Sequence, residues 1–138
     1  MIIPILFALA LETSLSAAAL PGDAAPPQSH ARPLPPEDEV ALRCGAVFAI
    51  AAKAQERGEP GSESWAGLNS RGREFFARSG AAAMDHTGMT KDELRAAVIT
   101  MVLALNAEIT AAKDGREVLA GKVETCLPLL PPEPAPAR

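Results

Sequence analysis

Tyrosine is absent from this 138-residue chain, and its aromatic side chains amount to one Trp and four Phe. A core built without them relies on Ala, Val and Leu, which pack closely but bury modest area at each contact. The two Cys and two His are too few and too scattered for a zinc site, which needs three or four converging ligands. An excess of basic residues is missing too, since 13 Lys and Arg face 17 Asp and Glu, for a formal net charge of −4. A broad nucleic-acid footprint needs the opposite balance, so no nucleic-acid partner is expected. Nor does the chain contain a GxSxG elbow, a GxxxxGK[ST] phosphate loop, an HExxH pair or a haem-attaching CxxCH. No catalytic residue, metal site or cofactor is therefore assigned, and a non-catalytic protein is expected.

What is present begins with an apolar run of about ten residues, a polar break at Glu12 and Thr13, and a string of small residues, the pattern of a signal peptide over residues 1–19. Cleavage after Ala18 or Ala19 is expected, which places the mature chain in the periplasm or outside the cell and leaves no membrane span behind. Residues 20–36 read as a proline-rich linker: six prolines fall between Pro21 and Pro36. His30, inside this spacer, reads as a solvated residue. Residues 131–138 read as a disordered proline-rich tail. Residues 37–130 remain as the helical domain, small for a self-sufficient core.

Four helices are expected in that domain. The first starts near Pro36 and Glu37, where proline suits the first helical position and Glu37, Asp38 and Glu39 suit the positive end of the dipole. Val40, Cys44, Val47, Phe48 and Ala51 share its inward face, and the helix ends by Gly58. Trp65 and Leu68 follow in a turn-rich connection, with Trp65 read as a lid over the end of the core. The second helix runs from about Arg71 to Met84, buries Phe75, Phe76, Ser79, Ala82 and Ala83, and exits through Thr87 and Gly88. Arg71, Arg73 and Arg78 make it locally basic, a possible contact for an anionic headgroup, polysaccharide or phosphate. Asp85 beside His86 resembles half of a catalytic pair, but sequence neighbours rarely orient each other.

The third helix, from Met89 to Ala112, is the clearest in the chain and is expected at its centre. Thr90 and Glu93 have the spacing of a capping box, with Met89 and Leu94 as the staple. Leu94, Val98, Met101, Val102, Leu105, Ile109 and Ala112 form one apolar face, while Ile99 and Leu103 lie nearly opposite. The middle of the helix is thus apolar all round, yet Asn106 and Glu108 interrupt the run that a bilayer would require. Either another helix covers Ile99 and Leu103 or a partner does. Glu108, at the edge of the stripe, calls for an Arg or Lys from a neighbouring helix. A short fourth helix from Arg116 to Thr125 leads to Cys126 and an extended apolar strip of Leu127, Leu129 and Leu130.

Two cysteines in an exported chain, Cys44 and Cys126, read as one disulfide, and the close CxxC spacing of a redox-active pair is absent. The segments RCGAVFAIAAKAQERGE, GREFFARSGAAAMD and CLPLL resemble stretches of uncharacterised small exported bacterial two-cysteine helical proteins. That resemblance implies export, an all-α body and a disulfide, and it carries no activity or site residue. Small periplasmic acid-stress chaperones are likewise helical with one disulfide but lack the GREFF-type segment. The expected fold is an all-α bundle of three long helices and one short one. The expected function is that of a periplasmic accessory or interaction protein, with Ile99, Leu103, Leu127, Leu129 and Leu130 as the partner surface. An acid- or stress-responsive chaperone is the alternative. An enzyme using a polar pocket around Arg78, Asp85 and His86 is the third reading. The sequence leaves the oligomeric state open.

Overall fold

Proline at the first helical position and three acidic residues in the first turn start helix α1, Pro36–Glu56, where the sequence places it. The computed structural model describes residues 33–65 and 67–132. The expected signal peptide, His30, most of the expected linker and residues 133–138 lie outside the described residues. Helices α2 (Arg73–Thr87), α3 (Lys91–Ala111) and α4 (Gly115–Cys126) follow, and no strand occurs among the described residues. The chain is an all-α bundle pinned by a Cys44–Cys126 disulfide that spans 82 positions of sequence.

The centre of the bundle is α1 rather than α3. Helix α1 packs against each of the other three helices, and nine of its residues are buried, whereas Leu105 alone is buried in α3. The reason is side-chain size. Gly45, Ala46, Ala51 and Ala54 keep α1 thin enough for neighbours to close on several sides. A Cβ added at Gly45 would collide with the Phe76 ring, and one at Gly72 would press on Phe48 at 2.9 Å. That close approach seats Phe48 edge-on to Phe75, with ring centroids 5.6 Å apart.

Val40 departs from its expected inward position and is 54% exposed, because it stands at the open end of a groove between α1 and α4. Asp38, two residues earlier, is buried instead. The connection after α1 also differs from expectation, since a π-helical turn at Leu68–Gly72 precedes α2, which then runs on to Thr87. Gly88 ends α2 in the left-handed region at φ 73°, donating its N–H to the Met84 carbonyl. Phe75, Phe76 and Ala82 are half-buried, while Ser79 and Ala83 are buried. Trp65 packs partly buried against the core, and Gln55 holds its carbonyl at 2.8 Å.

The capping box of α3 forms as its spacing requires. The Glu93 N–H donates to the Thr90 hydroxyl at 3.3 Å, and the Thr90 N–H donates to the Glu93 carboxylate at 2.7 Å. Asp114 caps α4 in turn by accepting from the Arg116 and Glu117 N–H groups. Leu127–Leu129 form a 3-10 turn rather than an extended strip. The chain becomes extended only at Leu130, which is buried against the core.

Candidate interaction surface

Helix α3 is built to leave one side bare. Leu94, Val98, Met101, Leu105 and Ile109 turn toward the bundle and are buried or half-buried, so successive turns place Asp92, Ala96, Ile99, Leu103, Ala107 and Thr110 outward. All six of these outward residues are exposed, with Ile99 at 52% and Leu103 at 64%. The helix is long and apolar enough to cross a membrane by length and composition, and Leu105 is its one fully buried residue. Neither α1 nor α4 reaches around to the outer side, and so an apolar face lies open along the helix.

Of the other residues expected in a partner surface, Leu127 and Leu129 are exposed at 37% and 45% on the 3-10 turn. Leu130 is not available, being 7% exposed and part of the core. The disulfide lies nearby, lining with Val40, Val47 and Val118 an apolar groove of about 410 Å³ between α1 and α4.

The three arginines do not converge. Arg71 turns toward the chain's end and donates to the Pro131 carbonyl at 2.5 Å, while its Nε is buried and has no partner among the described residues. Arg73 folds back on Asn69, and Arg78 pairs with Glu74 one turn before it. The three side chains thus take separate partners, and Arg78 is the one of them paired with a carboxylate.

His86 finds its partner across the bundle rather than in its neighbour Asp85. Its Nδ1 lies 2.8 Å from Oδ2 of Asp38, so the last turn of α2 is tied to the first turn of α1. The bond and charge of Asp38 raise the His86 pKa above its usual value, with smaller contributions from Glu37 and Asp85 against the opposing effect of burial. Arg78 stands eight residues earlier on the same helix, about 12 Å along its axis, so it does not complete a pocket with Asp85 and His86. Sequence reading missed Asp38, whose position in an acidic first turn already had a sufficient local explanation.

Glu108 has the basic neighbours its position called for. Lys122 of α4 donates to it at 2.7 Å, and Arg43 of α1 stands 3.7 Å away, so one carboxylate joins three helices. The Lys122 hydrogen bond, with the charges of Lys122 and Arg43, holds the Glu108 pKa below the usual carboxylate value. Among the described residues, no group of three or more His, Cys, Asp or Glu is placed to hold a metal ion. Compared with protein-family models, curated proteins and solved structures, the chain matches none.

Proposed function

We propose that this chain is a non-catalytic accessory protein of an oxidising, extracytoplasmic compartment that works by docking a partner on the outer face of α3. The carrying observation is the exposure of Ile99 and Leu103 on a helix whose opposite face is packed in the bundle. Two large aliphatic side chains one turn apart, flanked by Ala96 and Ala107, form an apolar strip that water solvates poorly. A long-range disulfide suits a rigid platform for such a strip, and it persists where thiols are oxidised.

An acid-responsive chaperone is the second reading, favoured by Glu108, whose ion pairs to α1 and α4 disappear when its carboxylate is protonated. His86 works in the opposite sense, because protonation strengthens its bond to Asp38. Opening would therefore have to begin in the carboxylate range rather than the histidine range.

Cross-linking in the periplasm followed by affinity capture tests the docking reading. The wild-type chain is expected to retain a discrete partner that Leu103→Glu loses while keeping its helical circular dichroism. Equal capture by both chains would contradict it.

A further inference from the structure

The groove between α1 and α4, lined in part by the disulfide, has no Asp or Glu among its lining residues. Val40 and Val47 of α1 face Val118, Gly121 and Thr125 of α4 across about 410 Å³, a size that suits a small ligand. The charged residues in its lining are Arg43 and Lys122, both positive. We infer that this groove binds a single-chain amphiphile with a carboxylate head, a fatty acid of medium length, its head on Arg43 and its chain along the valines. The site shares no lining residue with the outer face of α3.

Charge places the head. Lys122 donates to Glu108 at 2.7 Å and balances that carboxylate. The Arg43 guanidinium stands 3.7 Å from Glu108, beyond hydrogen-bond distance, and makes no hydrogen bond among the described residues. Arg43, Lys122 and Glu108 together thus keep one positive charge in excess. Glu39 and Glu124, exposed on the same two helices, form an ion pair with neither cation. The half-exposed guanidinium therefore has its fork of N–H donors free, and a carboxylate accepts two parallel bonds from such a fork.

The walls select the chain. Both are helix sides, whose backbone N–H and C=O groups bond to one another along the axis. The Thr125 hydroxyl already donates to the Gly121 carbonyl, and valine side chains offer no polar atom. The amides of a bound peptide would lose water here without gaining partners, whereas a hydrocarbon chain has none to satisfy. Gly121 leaves room for that chain, since a Cβ added there meets nothing within 4 Å.

Titration of the whole chain, disulfide intact, with decanoate tests this, followed by calorimetry and by methyl nuclear magnetic resonance. The wild type is expected to bind saturably, with shifts at the methyls of Val40, Val47 and Val118. Gly121→Leu fills the groove without meeting a neighbour at its Cβ, so it should melt no lower than the wild type and bind no decanoate. Arg43→Gln should weaken binding by roughly threefold to tenfold, the effect of one exposed charge pair. Decyltrimethylammonium, which carries the opposite charge on the same chain, should bind more weakly than decanoate. Leu103→Glu should bind decanoate as the wild type does. Absence of saturable binding, binding that survives Gly121→Leu, or an Arg43→Gln variant that binds as the wild type does would overturn the inference. So would equal binding of the two amphiphiles, or shifts centred on Ile99 and Leu103 and lost in Leu103→Glu.

Discussion

Nδ1 of His86 lies 2.8 Å from Oδ2 of Asp38, a bond between a half-exposed imidazole and a buried carboxylate 48 positions away. It closes the α1–α2 pair where the acidic first turn of one helix meets the last turn of the other, so both charges also suit their helix dipoles.

Because folding raises the His86 pKa above the ordinary 6.5, the stability this residue contributes is fully present below 6.5 and is lost as pH rises through the folded value. Thermal melts of the wild type and His86→Gln are therefore expected to differ most in mild acid and to converge in alkaline solution. Asp38→Asn should bring the imidazole titration, followed by nuclear magnetic resonance, back toward its ordinary midpoint. A melting difference that grew with pH would reverse the sign of the account.

The Cys44–Cys126 bridge closes a loop across most of the bundle. In the chain-entropy account such a closure stabilises the fold by about 4–5 kcal/mol, comparable with the whole stability of many small domains. Reduction, or paired Cys44→Ser and Cys126→Ser changes, is expected to leave the helices largely unfolded at growth temperature, read by circular dichroism. Alkylation without reductant should modify neither cysteine.

Leu105 and Leu103 sit two residues apart on α3 but differ in exposure, 1% against 64%. Leu105→Ala is expected to cost about 2–5 kcal/mol in urea unfolding, and Leu103→Ala less than about 0.5 kcal/mol. Similar losses from both would mean that the outer face is covered in the isolated protein.

Thr90→Ala removes one half of the reciprocal cap of α3 and is expected to lower stability by about 1 kcal/mol. The loss should show as faster amide exchange in the first turn of the helix, with little change in α1.

Much of this fold is legible in the sequence because its helix boundaries are written locally. Pro36 with its acidic followers, the Thr90–Glu93 pair and Gly88 each name a terminus through backbone hydrogen bonds that depend on near neighbours. The disulfide is legible because two cysteines allow one pairing. The role of α3 is not, because apolar content tells how much surface a helix offers and not whether neighbours arrive to cover it. Gly45 and the alanines of α1 decided that, by letting other helices crowd a helix of modest hydropathy. Val40 and Leu130 exchanged their expected environments for a related reason, since groove ends and chain turns are set by tertiary packing. Asp38 was hidden by having a local role that made a distant one unnecessary to invoke. Of the candidate surface, Ile99 and Leu103 were readable from helical periodicity alone, whereas the dispersal of Arg71, Arg73 and Arg78 depended on partners several residues or a whole domain away.

Photocross-linking in living cells probes the docking face most directly. With benzoylphenylalanine at position 103, a discrete adduct is expected that Ile99→Glu abolishes, whereas the same probe at exposed Ala77 on α2 should give none. No adduct at position 103, or the same adduct from both positions, would contradict a docking role for the outer face of α3.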